Sequence, residues 1–419
     1  VIDLACHLNN IILLPLPNFL SKQQLKHALE QSGANAIIHA DFETSFISEL
    51  TPISSAKSKS LSVSAPLVLN EINLKKHVKL PENTQKITFT SGSTSAPKGV
   101  CLSLSSQINT AQALITATEI QETRHLAVLP FSTLLENIAG IYATLLSGGC
   151  VIALAQQQLG FNGSQAFELN TLLIPLSQYQ PQSLILLPEL LTALVIAAKQ
   201  GWSAPNSIAF IAVGGSKVSP QLLQEAVVQK LPVYQGYGLS ECASVVSLNT
   251  PERNNINSAG QRLDHVKVTV EHGEVVVSGN VFLGYIGQEE TWYSNKVLTG
   301  DLGFYDHKGY LHITGRKKNL LVSSFGRNIN PEWVESELLA NGLLAQCVVF
   351  GDATPFCSAL ILARNDETTI EEIGQWVDQV NLVLPDYAQI KAWHRLASPL
   401  SSSDGLMTRN GRPIRQAIA

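Results

Sequence analysis

Charge is scarce in this chain. Only 15% of its 419 residues are Asp, Glu, Lys or Arg, against about 25% in an average soluble protein. The apolar fraction of 45% is ordinary, so the balance suits a large, well-buried α/β protein and excludes a disordered or fibrous chain. Basic excess is lacking too. With a formal net charge of -5 and a pI near 6.1, the chain has no cationic footprint for nucleic acid, and no nucleic-acid partner is expected. Paired cysteines are missing as well: Cys6, Cys101, Cys150, Cys242, Cys347 and Cys357 are scattered, with no C-x-x-C. That spacing suggests neither a zinc site nor a disulfide framework and fits a reducing cytoplasm. Finally, the most apolar run, Leu184 to Ala198, is interrupted by Pro188 and Glu189 and is too short for a transmembrane span. No signal-peptide pattern opens the chain, and Val1 falls inside an apolar helical pattern rather than at a recognisable start.

What is present points to alternating helices and strands in two or three domains, since so long a chain exceeds one core of usual size. IILLPLP (11–17) and NAIIHA (35–40) read as buried strands flanking a helix, KQQLKHALEQSG, that ends at Gly33. The Ser- and Lys-rich stretch from Ile53 to Pro66 reads as a loop. Beyond Lys86, the short apolar runs HLAVLP, CVIALA, SLILLP, SIAFIAVGG and LPVYQ alternate with helical stretches. Such runs suit parallel strands covered on both faces, and the alternation predicts doubly wound sheets. The pattern then shifts to short strands and turns in HVKVTVEHGEVVVSG, VFLGYIG and GYLHITG. After Arg316 come KKNLLVSS, a helix starting near Pro331, the strands QCVVFG and SALILAR, and the helix IEEIGQWVDQVNLVL. The expected fold is therefore α/β: a large N-terminal domain over 1–315 of doubly wound sheets, with a small β-barrel-like subdomain at 262–315. A small α+β C-terminal domain follows over 316–419.

The segment ITFTSGSTSAPKGV (87–100) crowds small hydroxyl residues and glycines around one lysine, Lys98. It is expected to join the strand QKITFT to the helix SSQINTAQALITATEI, where α/β folds bind ligands. Close backbone approach, hydroxyl donors and a point charge suit a polyphosphate. A Walker loop is excluded, because Pro97 stands where its second glycine belongs. Composition alone leaves a solvated Ser/Thr loop at even standing.

The order T-S-G-S-T-x-x-P-K-G closely resembles the phosphate loop of the adenylate-forming superfamily, which includes acyl-CoA synthetases, luciferases and peptide-synthetase adenylation domains. Further segments resemble that family's signatures in its order. Within the loop, the resemblance implies that Thr90, Ser91, Gly92, Ser93, Thr94 and Lys98 hold ATP phosphates. In AFIAVGGSKVSPQLLQ, Gly214, Gly215 and Ser216 would border adenine. In QGYGLSE, Tyr237 and Gly238 would lie against the base, Ser240 replaces the usual threonine, and Glu241 would hold Mg2+. In LTGDLGFYDHKGYLHITGRKKN, Asp301 would accept the ribose hydroxyls, Arg316 would hold the nucleotide, and Lys318 would be the hinge of a mobile C-terminal domain. FGRNINPEWVE would place Gly326 beside a thiol tunnel. Bland readings compete in places: a glycine pair after a strand is a common turn, and a buried glutamate is often half of a structural pair.

Two departures stand out. GLMTRNGRPIRQAI aligns with the family's L-T-x-x-G-K-x-x-R, but Arg412 takes the place of the catalytic lysine. A planar fork is a poor stand-in for a compact ammonium at a close-fitting site, so Arg412 either does the same task in an adjusted pocket or weakens the first step. In AVLPFSTLLENIAG, Thr133 occupies the position of a frequent histidine; it reads equally as pocket wall or helix cap, the latter role being shared with Ser132. The acyl pocket is expected around Leu187, Leu190, Leu191 and Leu194, with only Glu136 as a candidate acid near its mouth, so an aliphatic or fatty acid is preferred to an amino acid. The resemblance implies that ATP and Mg2+ convert a small carboxylic acid to acyl-AMP and pyrophosphate. A thiol from CoA or the phosphopantetheine of an acyl carrier protein then takes the acyl group. A carrier-loading fatty acyl-AMP ligase, a β-lactone synthetase and a degenerate nucleotide-binding protein are the alternatives.

Overall fold

The computed structural model describes all residues except 18, 19, 21, 41–58, 62–66, 73–77, 91–96, 163–165, 402, 403, 408–412 and 419. Two compact units emerge: Val1–Gln107 with Phe282–Ser294, and Ile108–Val281 with Asn295–Ala419.

In the first unit the helix Lys22–Ser32 ends as expected at Gly33, whose φ of 64° supplies the left-handed turn. The strand Ala36–Ala40 pairs antiparallel with Leu67–Glu71, whose other neighbour is Lys59–Leu61. The presumed loop 53–66 thus contains a short strand; the rest of it lies outside the described residues. IILLPLP is not a strand. It contributes one bridge, Leu13 to Lys86, and leaves Ile11 and Ile12 exposed; Pro15 and Pro17 lack the N–H groups a ladder needs.

The Ser/Thr-rich segment also differs from expectation. Lys86–Thr90 and Lys98–Leu102 form an antiparallel hairpin in which Thr90 faces Lys98, and the helix Leu104–Thr118 follows only after the second strand. Residues 91–96 therefore connect two strands rather than a strand and a helix. The Pro-Lys-Gly triplet disguised the second strand, which is fully buried from Gly99 to Leu102. Gly284–Tyr285 pairs along its other edge, so VFLGYIG belongs to this sheet and not to the β-rich subdomain. Gly99 packs closely against Ile286, whose Cδ1 a Cβ there would approach to 2.5 Å.

The second unit is built on a seven-stranded sheet. Its spatial order is Gln261–Arg262, Ser244–Leu248, Val233–Leu239, Phe210–Val213, Ser183–Leu186, Arg124–Leu126 and Cys150–Ile152. The last five are parallel, and they are the five apolar runs read from the sequence. Helices cover them: Leu169–Tyr179, Pro188–Lys199 and Pro220–Val228 bury Leu172, Leu176, Leu191, Leu194, Leu222 and Leu223 into one core. Val266–Glu271, Glu274–Gly279, Lys296–Tyr305 and Leu311–Arg316 then form a four-stranded antiparallel sheet.

Beyond Arg316 a second core forms. Leu344–Phe350 pairs antiparallel with Cys357–Ala363, which runs parallel to Ile390–Arg395. The helices Pro331–Leu339 and Ile370–Val383 contribute Val334, Leu338, Ile373, Trp376, Val377 and Val380 to that core. Both starts carry side-chain caps, Asn330 for the first and a Thr369–Glu372 capping box for the second. Among the described residues no helix is long and apolar enough to cross a membrane.

Candidate active site

The strand Val233–Leu239 changes partners midway. Val233 to Gln235 pair with the parallel neighbour Phe210–Val213, while Gly236 to Leu239 pair antiparallel with Ser244–Leu248. A register shift between Tyr237 and Gly238 marks a bulge, the kind of irregularity that re-aims a side chain. Gly238 is obligatory there, since a Cβ would lie 1.7 Å from Ser244 O.

Re-aimed in this way, the Tyr237 hydroxyl donates to Asp301 Oδ2 at 2.7 Å. Arg316 Nε approaches Asp301 Oδ1 at 2.8 Å. The register of the four-stranded sheet explains the second contact, because Asp301 and Arg316 are direct cross-strand partners. Asp301 is only 4% exposed, and its own N–H donates to Thr299 Oγ1. Burial, with Asp301 second, pushes the Tyr237 hydroxyl well above its ordinary pKa. Three residues expected to serve one ligand are thus in direct contact.

The glycine turn lies at the carboxyl end of Phe210–Val213. Gly214 is buried, with room for a Cβ only 3.0 Å from Gly236 O, and Gly215 (φ 86°) and Ser216 are exposed. Glu241 sits in the short helical turn Ser240–Cys242, half-exposed beside half-buried Ser240. Among the described residues no three His, Cys, Asp or Glu side chains cluster as a metal cage. In the first unit, Thr90 is half-buried, and exposed Lys98 sets its Nζ 4.9 Å from the Tyr285 ring centroid, within cation–π range. Ser91, Gly92, Ser93, Thr94 and Arg412 lie outside the described residues.

Of the acyl-pocket candidates, Leu187 is 36% exposed at the end of Ser183–Leu186, and its Cδ2 lies 3.0 Å from where a Cβ on Gly215 would stand. Leu191, like Leu190 and Leu194, is buried in the main core, facing the sheet. Thr133 is half-buried, and its carbonyl accepts from Asn137 N–H at 3.0 Å where the helix begins. Glu136 is not poised for an amino group. It is completely buried and accepts from His125 Nε2 at 2.6 Å and from Leu129 N–H at 2.9 Å.

Lys318 is exposed in the turn after Arg316, and Gly326 (φ 72°) is exposed in the turn joining Leu321–Val322 to Asn328–Ile329. The reading of single residues missed Arg415. Its guanidinium pairs with Glu335 and with Glu332 (3.7 Å), and its Nε donates to Val349 O at 3.2 Å. The signal was available: Arg415 ends the quoted G-R-x-x-R stretch and Glu335 ends P-x-x-V-E. Lys217 was missed as well. It donates to Ile313 O at 2.8 Å, and burial lowers its pKa despite nearby Glu337 and Glu332.

The sequence model described as AMP-binding enzyme matches residues 1–286, and the AMP-binding enzyme C-terminal domain matches 318–419. The chain belongs to the AMP-binding enzyme family. Similar to this AMP-binding enzyme is the 2-succinylbenzoate–CoA ligase of Bacillus velezensis, 28% identical over 370 residues, covering 84% of the chain and 72% of the relative. The long-chain-fatty-acid–CoA ligase FadD15 of Mycobacterium bovis is 32% identical over 218 residues, but that match spans 45% of the chain and little more than a third (36%) of the relative. In fold, the enzyme resembles the Bacillus subtilis O-succinylbenzoate coenzyme A synthetase solved with AMP (TM-score 0.74, 22% identity, covering 99% and 84% of the two chains). The anthranilate CoA ligase AuaEII solved with anthranoyl-AMP gives a TM-score of 0.76 at 16% identity, covering 97% and 82%. These likenesses bear out the family resemblance and the α/β fold.

Proposed function

We propose that this enzyme activates a carboxylic acid with ATP and passes the acyl group to the thiol of CoA. A carboxylate oxygen attacks the α-phosphorus, pyrophosphate leaves, and acyl-AMP forms. The thiol sulfur then attacks the acyl carbon, losing its proton, and AMP departs. The observation that carries the reading is the Tyr237–Asp301–Arg316 contact in a chain of this family. An acceptor-only carboxylate held between a tyrosine and an arginine is a preorganised partner for sugar hydroxyls.

In this reading Thr90, Ser91, Gly92, Ser93, Thr94 and Lys98 hold the phosphates, Gly214, Gly215 and Ser216 border one edge of adenine, and Tyr237 with Gly238 lies against the base. Glu241, with Ser240 beside it, would hold Mg2+. A half-exposed carboxylate oxygen suits that hard cation when nucleotide oxygens complete its shell, and the ion would neutralise phosphate charge. Arg412 would face the reacting carboxylate. The functional division falls at 315/316, with Lys318 as hinge and Gly326 beside the incoming thiol. The acid has an apolar body. Leu187 and the segment around Thr133 are its candidate walls, and relatives named for long-chain fatty acids and for 2-succinylbenzoate bracket the choice.

The test is ATP–pyrophosphate exchange over a panel holding long-chain fatty acids, 2-succinylbenzoate and benzoates, followed by addition of CoA or a holo carrier protein. Exchange with an apolar acid and thioester formation with CoA are expected. ATP binding without exchange for any acid would overturn the reading, and thioester formed only with the carrier would correct its acceptor.

A further inference from the structure

We propose that the buried pair Glu136–His125 is a positioning device that holds residues 129–133 as a wall of the acid-binding pocket and so sets which acids are accepted. The inference rests on the acid-activating reading above. In parallel sheets ligands bind outside the carboxyl ends of the strands. Here those ends lead into residues 127–133, Leu187, Gly214–Ser216 and Tyr237. The 129–133 segment is a tight turn, with Thr133 N–H donating to Pro130 O at 2.8 Å, and it shows Phe131 at 46% exposure.

Behind it runs a continuous chain of hydrogen bonds. Ser183 Oγ lies 2.9 Å from His125 Nδ1, His125 Nε2 lies 2.6 Å from Glu136 Oε1, and Glu136 Oε2 accepts the Leu129 N–H at 2.9 Å. The chain links two neighbouring strands, the following helix and the first residue of the wall. All four groups are buried, His125 at 2% and Glu136 at 0% exposure.

A second observation is independent of these contacts. From Glu136 to Tyr142 the helix is wound as a π-helix before continuing as Ala143–Leu146. Such insertions are rare and frequently mark functional sites. Gly140 lies within it, and a Cβ there would meet Glu136 Oε1 at 2.2 Å and His125 Nε2 at 2.6 Å. The helix is thus distorted, and left without a side chain, around this pair. Replacing both members of a buried hydrogen-bonded pair by apolar groups of the same shape can be nearly neutral or stabilising, so stability alone gives no reason for the arrangement. A fixed Leu129 N–H does.

Strand order says which substrate should feel it. Arg124–Leu126 is two places from Phe210–Val213 and three from Val233–Leu239. The pair's hydrogen bonds run to Ser183 and Leu129, on the acid side of this order, and although its helix also packs against Ser244–Leu248, the acid should respond more than ATP.

Steady-state exchange kinetics and amide hydrogen exchange on the whole enzyme test this together. Glu136→Ala is expected to raise KM for the acid about tenfold or more, with KM for ATP within about twofold. Amides of 129–133 should exchange faster, while those of Phe210–Val213 do not. Glu136→Gln should restore the parent values: with the other His125 tautomer, every hydrogen bond can be remade. Gly140→Ala serves if Glu136→Ala does not fold. Alanine ordinarily favours a helix, so an acid-selective loss there reports displacement of the pair. Equal changes in both KM values, or a lowered melting temperature alone, would overturn the proposal. Unchanged protection of 129–133 would do the same. If the parent enzyme exchanges with no acid, the acid-activating reading falls, and amide protection alone decides whether the pair fixes the segment.

Discussion

Asp301→Asn is expected to lower kcat/KM for ATP by about ten- to a hundredfold, with KM for the acid little changed. The side chain keeps its shape and can still accept from Tyr237, but it loses its charge opposite Arg316 and its strength as an acceptor for the nucleotide. Hydrogen bonds to charged groups contribute about 1.5–3 kcal/mol, and each 1.4 kcal/mol is about a factor of ten. Asp301→Ala should cost more, because Tyr237 Oη and Arg316 then lose an acceptor that is only 4% exposed. Parallel ATP and acid titrations check the point. A parent-like KM for ATP in Asp301→Asn would remove the nucleotide role from this carboxylate.

The second large effect concerns stability. Arg415→Ala strands Glu335, and removing one partner of a buried pair typically costs about 3–5 kcal/mol. The melting temperature should fall by several degrees, and the closing turn Arg415–Ile418 loses its anchor. Protonation offers Glu335 partial relief, because burial already pushes its carboxyl up to about 7 against the attraction of Arg415 and the Val349 N–H. That shift has a sign. Between the ordinary 4.5 and about 7, the folded state holds a proton that the unfolded chain has released. Stability from this group is therefore full below about 4.5 and is lost as pH rises to about 7. Calorimetric melts across that window should show the decline in the parent and a flatter curve in Glu335→Gln. Parallel curves for the two would sink the assignment.

Much of this architecture was legible, for identifiable reasons. The five parallel strands declare themselves as short apolar runs because both faces are covered, and the C-terminal helices through the start near Pro331 and the segment IEEIGQWVDQVNLVL, with caps at Asn330 and Thr369 that the structure adds. IILLPLP misled because apolarity outvoted its prolines. The hairpin strand at Lys98–Leu102 was hidden by Pro97 and Gly99, turn residues that here border and pack a sheet. At the site, Tyr237, Asp301 and Arg316 were singled out through motif order as residues serving one nucleotide, whereas their direct contact through Asp301 came only from the structure. The Ser183–His125–Glu136 chain was invisible, since Ser183 and His125 are 58 positions apart and no local pattern announces a π-helix. Glu335 and Arg415, 80 positions apart, were obscured because attention went to the substituted neighbour Arg412.

The scattered cysteines have a practical consequence. Cys150, on the outermost strand of the large sheet, is exposed, whereas Cys101, Cys242, Cys347 and Cys357 are buried in different places. Burial raises Cys101 to about 12 and Cys357 to about 11, and holds Cys242 and Cys347 well above the usual value. Thiolates are what alkylating reagents attack, so these four stay silent until their surroundings open. Cys101 reports on the hairpin, Cys242 on the turn beside Glu241, and Cys347 and Cys357 on the C-terminal core. The native chain thus carries its own labels for following, by timed alkylation and peptide mapping, which part of the molecule comes apart first.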